Sequence, residues 1–162
     1  PRHRAVVVGY GPTGRTVTRL LRENAIEPTV IELNMESVRA LRRAGIDAIY
    51  GDANRREVLE AAGVAQAAGL ILSAAGMTVG ADTIRAAREL NPRVHVLART
   101  AYLREVAALR AAGADDVFSG EGEVALAMTE AILRRLGATP EQIDRERARV
   151  HRELRGAADP GR

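Results

Sequence analysis

Gly9-Tyr10-Gly11-Pro12-Thr13-Gly14 carries three glycines at the spacing G-x-G-x-x-G. A short β-branched run, residues 4–9 (RAVVVG), precedes it. A helical pattern follows over 12–25, with Val17, Leu20, Leu21 and Ala25 on one face. In that strand–turn–helix context each glycine has a physical task. Gly9 makes the tight turn, Gly11 lets a phosphate approach the backbone, and Gly14 lets the helix pack closely on the strand. Pro12 suits the first helical turn, where its missing N–H has no intrahelical use. The remaining N–H groups there point at an anion. A glycine turn without a ligand is the alternative reading.

Glu32 ends a second apolar run, 18 residues after Gly14, with Leu33 beside it. An acid about 20 residues past the glycines accepts hydrogen bonds from ribose hydroxyls. A carboxylate there also repels a 2′-phosphate, so AMP, ADP/ATP or NAD(H) is expected over NADP(H). The competing role for Glu32 is a solvated strand end. Asp52 and Ala53 follow a third strand, and Ser73 and Ala74 a fourth, at the carboxyl ends where such folds bind ligands. Asp52 either accepts from an adenine amino group or N-caps the next helix. Arg15 and Arg99 are candidate phosphate partners, or else solvated arginines. Glu121 either meets a metal on a nucleotide phosphate or complements a helix dipole.

These residues need a scaffold that brings strand ends together. Apolar runs at 4–9, 28–33, 48–50, 69–72, 94–98 and 116–118 alternate with helical patterns at 12–25, 35–44, a short one ending at Gly63, 78–90 and 102–112. Strands alternating with helices of this length pair in parallel through crossover helices. The runs are nearly all apolar, as expected when helices cover both faces of the sheet. The expected fold is α/β: a Rossmann-like doubly wound parallel sheet of six strands, order 3-2-1-4-5-6, with C-terminal helices.

The helix expected at 121–136 holds Val124-Ala125-Leu126-Ala127-Met128 and Ala131-Ile132-Leu133. Apolar residues around most of a helix are buried on more than one side, here by a second subunit. Thr139-Pro140-Glu141-Gln142 then reads as a capped helix start. The charged helix it opens has a sparse stripe of Ile143, Val150 and Leu154 and ends near Gly156, leaving frayed last residues. The expected division is 1–120 as the nucleotide-binding body, 121–136 as a dimerisation helix and 137–162 as a polar tail.

The chain has 162 residues, with no Cys, no Lys and four aromatic residues. Thiolate catalysis, cysteine metal sites, Schiff-base lysines and the P-loop lysine are excluded. Residues 1–133 hold 16 Arg and 16 acids, whereas 134–162 hold 8 Arg and 5 acids. The net charge of +3 therefore belongs to the tail. A neutral body poor in aromatics is not a nucleic-acid-binding surface. No run spans a bilayer and no signal peptide is visible. A chain opening at Pro1 without Met is expected to come from a longer or processed protein. His95 reads as a packed core residue within an apolar strand, while His3 and His151 lie in terminal segments. No Ser/His/Asp set, metal spacing or Tyr-Lys pair is present, and only 44 residues follow the sixth strand. A minimal NAD-dependent oxidoreductase, the enzymatic alternative, has no visible substrate region.

VVVGYGPTG, VIELN, YGDAN, LILSA, VLART and GADDVFSGEGEVALAM occur in that order. With them, residues 4–136 resemble the RCK N-terminal domain, also called TrkA-N or KTN. GYGPTGR, VIELN and SGEGEVALAM, with the RERARVHREL tail, look most like the domain at the carboxyl end of Kef-type monovalent cation:proton antiporters. The resemblance implies a non-enzymatic, cytosolic domain that binds AMP, ATP/ADP or NAD(H) at the glycine loop. It implies a homodimer through 121–136 and control of a membrane-embedded cation transport domain. A separate Trk/Ktr-type potassium-uptake subunit is the related alternative. Many members carry Arg where this chain has Pro12; that phosphate contact passes to backbone N–H groups, Thr13 or Arg15. Glutathione-type ligands regulate some Kef systems, but no residue pattern here carries that over.

Overall fold

The computed structural model describes residues 3–74 and 77–157. Six parallel strands form one sheet: β1 (Arg4–Val8), β2 (Glu27–Glu32), β3 (Asp47–Tyr50), β4 (Gly69–Leu72), β5 (His95–Thr100) and β6 (Asp116–Ser119). Their order is β3-β2-β1-β4-β5-β6, the expected 3-2-1-4-5-6. The helices are α1 (Pro12–Glu23), α2 (Met35–Arg43), α3 (Arg56–Ala61), α4 (Met77–Leu90), α5 (Val106–Ala111), α6 (Gly120–Arg135) and α7 (Pro140–Ala157).

Alternation along each strand builds two cores. On β1 and β2, Val6 and Ile31 enter the larger core with Leu59, Leu70, Ile84, Val96 and Leu109. Their neighbours Val7 and Val30 face the opposite way, into a smaller core with Val38, Leu41 and Ala48. Successive strand side chains point to opposite faces, so one run of valines serves both cores. Each fully buried Val, Leu or Ile contributes about 1.5–3 kcal/mol of transfer free energy.

The two faces are covered unequally. Helix α1 packs on β1 and β2, and α2 on β2 and β3. The chain then reverses direction across the sheet, and right-handed crossovers put the later helices on the other face. Residues of β5 that alternate away from the larger core therefore lack a full cover. Val96 and Ala98 are buried, whereas His95 and Arg99 are exposed. His95 is thus not a core residue, as its apolar neighbours suggested. Its side chain is 56% exposed, and Nε2 lies 2.8 Å from an Asp116 carboxylate oxygen.

Local signals explain most element ends. Asn34 caps α2, its side chain accepting the Ser37 N–H at 3.0 Å. Ser119 caps α6 by accepting the Gly122 N–H at 2.8 Å. Glu121 and Glu123 in the first turn of α6, with Arg134 and Arg135 in its last, suit its dipole. Thr139 and Gln142 form the reciprocal capping box at the start of α7. Two details differ from the sequence pattern. The helix expected over 102–112 is a 3-10 turn, Leu103–Glu105, followed by the short α5. A further 3-10 turn, Val64–Gln66, bridges α3 and β4.

Helix α7 folds back on α6. Ile143 is buried at the seam, Arg147 pairs with Glu130 at 2.5 Å, and His151 lies 3.1 Å from Glu123. Helix α7 runs one residue past the end expected near Gly156, to Ala157; the Leu154 side chain and residues 158–162 of the frayed end expected over the last six residues lie outside the described residues. Val124, Met128 and Ile132 on α6 and Leu136 at its C-terminal cap recur every fourth position and are exposed, Met128 to 69% and Leu136 to 77%. Among the described residues, no helix is long and apolar enough to cross a membrane.

Candidate functional site

The carboxyl edge of the sheet gathers the residues singled out by sequence. Gly9 leaves β1 with φ +98°, a left-handed conformation that favours glycine. A Cβ on Gly9 would also lie 3.0 Å from Ser73 Oγ and 3.3 Å from the Ala74 Cβ. Gly14 is more tightly confined, since a Cβ there would lie 2.1 Å from the Gly9 carbonyl oxygen. Gly11 differs from both. It is the N-cap of α1, in extended conformation, and a Cβ would meet no protein atom within 4 Å. Packing therefore requires glycine at 9 and 14 but not at 11.

Pro12 occupies the first turn of α1, and no side chain caps that helix. The Arg15 N–H makes the first intrahelical bond, to the Gly11 carbonyl at 2.9 Å. The N–H groups of Thr13 and Gly14 precede any possible i−4 acceptor in the helix. Together with the open space over Gly11, they form an anion cradle whose donor set fits a nucleotide phosphate.

Glu32 is held in place by the backbone around it. One carboxylate oxygen accepts the Tyr10 N–H at 3.3 Å. The other accepts the N–H groups of Leu33 and Asn34, the latter at 3.2 Å. Glu32 therefore ties the glycine loop to the start of α2, and its oxygens retain further acceptor capacity. Leu33 beside it is 65% exposed. Tyr50 lies opposite Glu32 in the β2–β3 register and is also exposed. Sequence reading missed Tyr50; a lone aromatic at a strand end gives no signal until the register sets it beside Glu32.

Asp52 and Ala53 follow at the end of β3. Asp52 does not cap α3, whose N-cap is Arg55. Its Oδ1 accepts the Asn54 N–H at 2.9 Å and closes a tight turn. Ala53 is buried in the larger core, leaving its backbone as the part able to meet a ligand. Ser73 is buried too, its hydroxyl donating toward the Val8 and Gly9 carbonyls at 2.8 and 3.1 Å. Ala74 beside it is exposed.

The two candidate arginines take different positions. Arg15 turns back on the loop, donating from Nε to the Tyr10 carbonyl at 3.2 Å with its guanidinium 5.1 Å from the Tyr10 ring centre. Arg99 reaches across from β5 and donates to the Ser73 carbonyl at 3.0 Å. Glu121 accepts the Leu103 N–H at 3.0 Å. Among the described residues, no group of three or more His, Asp or Glu could hold a metal ion.

The fold and sequence have known counterparts. The family model of the TrkA-N domain matches residues 5–120. The KefB protein of Alkalimonas amylolytica is 28% identical over 162 residues, covering 95% of this chain and 24% of its own length. The glutathione-regulated potassium-efflux system protein KefC of Escherichia coli O157:H7 is 30% identical over 151 residues, covering 93% and 24%. This chain thus spans about a quarter of the length of these relatives. Among solved structures, the TrkA-N domain of the inner membrane protein ybaL from Escherichia coli superposes with a TM-score of 0.77 at 33% identity, covering 81% of this chain and 97% of that one. The Kef CTD of Shewanella denitrificans, in AMP-bound form, gives 0.73 at 20% identity, covering 96% and 98%. The GsuK channel bound to NAD gives 0.67 at 23% identity, covering 80% and 23%. The glycine loop, the six-stranded order and the match over 5–120 agree: this chain belongs to the TrkA-N domain family.

Proposed function

We propose that this chain is the nucleotide-binding regulatory domain of a Kef-type monovalent cation:proton antiporter, that it is not an enzyme, and that it works on the cytoplasmic side of the membrane. The observation that carries the reading is Glu32. It is fixed by three backbone N–H groups at the mouth of the glycine loop, where ribose hydroxyls meet an acceptor. The phosphate falls to the N–H groups of Thr13 and Gly14 over Gly11. The base lies toward Leu33, Tyr50, Asp52 and Ala53, and Ser73, Ala74 and Arg99 close the far side.

AMP or NAD(H) is the ligand this site suits best, with ADP or ATP also compatible. The AMP bound by the Kef CTD of Shewanella denitrificans and the NAD bound by the GsuK channel support that choice. A 2′-phosphate would face the Glu32 carboxylate, so NADP(H) is disfavoured. The exposed α6 stripe supports a homodimer through residues 121–136, with 1–120 as the binding body and 137–162 as a tail packed on the dimerisation helix. Agreement with KefB and KefC across both body and tail favours the antiporter over a separate uptake subunit.

Calorimetric titration tests the reading. AMP or NAD(H) is expected to bind more tightly than NADP(H), and mass spectrometry of the purified protein to find an adenine nucleotide. Equal or tighter NADP(H) binding would remove the role given to Glu32.

A further inference from the structure

A series of hydrogen bonds, joined through neighbouring residues of the chain, runs from the glycine loop along the carboxyl edge of the sheet to α6. Its first link is Ser73, whose buried hydroxyl donates toward the Gly9 carbonyl at 3.1 Å. The Ser73 carbonyl accepts Nη1 of Arg99 at 3.0 Å. The residue after Arg99 is Thr100, fully buried, whose hydroxyl donates to Glu105 at 2.5 Å and accepts the Tyr102 N–H at 3.4 Å. Those two bonds shape the turn over 101–105. Within it, the Leu103 N–H donates to Glu121 at 3.0 Å, and Glu121 lies in the first turn of α6. The Gly122 N–H, bound to Ser119 at 2.8 Å, closes the chain on the α6 cap.

Arg99 is the one cation in this chain of contacts. It is exposed, and its remaining guanidinium donors have no protein acceptor among the described residues. A guanidinium giving a single bond to a neutral carbonyl gains by moving to a phosphate, where donor and acceptor are both ionised and the pairing is frequently bidentate. An anion on the glycine loop, next to Ser73, offers that exchange. The movement is transmitted because Thr100 is buried and bonded on both sides, so it cannot absorb a shift of Arg99 by itself. A ligand shifts such an equilibrium only by its differential affinity for two arrangements. Here those are Arg99 on the Ser73 carbonyl and Arg99 on the ligand.

We propose that Arg99 is a positioning residue through which occupancy of the glycine loop sets the geometry of the first turn of α6, with Thr100 and Glu121 as the intermediate links. The proposal rests on the nucleotide-binding reading above. It locates the regulatory coupling in four side chains, Ser73, Arg99, Thr100 and Glu121, rather than in a general movement of the domain.

Hydrogen exchange at the Leu103 and Gly122 amides, with and without saturating AMP, or NADH if AMP does not bind, tests this. Nucleotide is expected to change exchange at both amides by about fivefold or more, the lower end of ordinary coupling between sites. Glu121→Gln keeps an acceptor oxygen and should respond like the native protein. Glu121→Ala should still bind nucleotide by calorimetry yet lose the response at Gly122. Thr100→Val removes the hydroxyl at nearly constant shape and should lose it as well, which covers the case in which Glu121→Ala fails to fold. Nucleotide binding without a response at Leu103 and Gly122 in the native protein overturns the proposal. A full response in Glu121→Ala or in Thr100→Val does the same. Failure of the native protein to bind either nucleotide overturns the nucleotide-binding reading itself, and the coupling with it.

Discussion

A Cβ on Gly14 would lie 2.1 Å from the carbonyl oxygen of Gly9, so the first turn of α1 touches the end of β1 with no room for a side chain. This contact sets the height of the helix over the strand and with it the position of the proposed anion cradle. Gly14→Ala is expected to lower stability by about 1–3 kcal/mol, the usual cost of overpacking. Urea unfolding followed by circular dichroism measures it, and a native midpoint would refute the contact.

Gly11 makes the opposite prediction from the same loop. Its backbone is extended and a side chain there meets no protein atom within 4 Å. Gly11→Val should therefore fold with a loss under about 1 kcal/mol, as for a poor N-cap. On the proposed function it should also lose nucleotide binding, because the valine would fill the proposed phosphate cradle. Native affinity in this variant would show the loop assignment to be wrong.

Asp115 supplies a pH-dependent term far from this site. Burial by itself would raise its pKa, but the Val96 N–H and the Arg88 guanidinium, each at 2.7 Å, hold it below the ordinary value, with His95 adding to the effect. A carboxylate with a lowered folded pKa contributes stability that is complete above its unfolded value, about 3.9, and is lost as pH falls through the folded value. Asp115→Asn should cost about 1 kcal/mol at pH 7, a modest figure because the side chain is 38% exposed to screening solvent. The gap between the two proteins should begin to narrow only below about pH 4 and close as pH falls through the lowered folded value. Thermal melts from pH 7 to 3 follow it.

The apolar stripe of α6 predicts the assembly. Met128 and Ile132 stand one turn apart on the exposed face, away from the seam with α7. Changing both to Asp should give monomers by light scattering while circular dichroism stays native. A dimer surviving the double change would exclude this face as the interface.

The strand order and the strand–glycines–helix turn were legible in the sequence alone. Both follow from local rules. Short, nearly all-apolar runs joined by helices admit few parallel topologies, and strand–glycines–helix is a contiguous motif whose geometry is fixed within about ten residues. The capping box of Thr139 and Gln142 was legible for the same reason. Tertiary structure alone decided three other things. His95 lies in an apolar run, yet it is exposed, because it alternates away from the larger core that buries its neighbour Val96. Tyr50 joined the site only through the β2–β3 register. The contacts of Arg99 with Ser73 and of Glu121 with Leu103 join residues 26 and 18 positions apart. Such contacts carry no periodicity along the chain, because distance in sequence says nothing of distance across the carboxyl edge of a sheet.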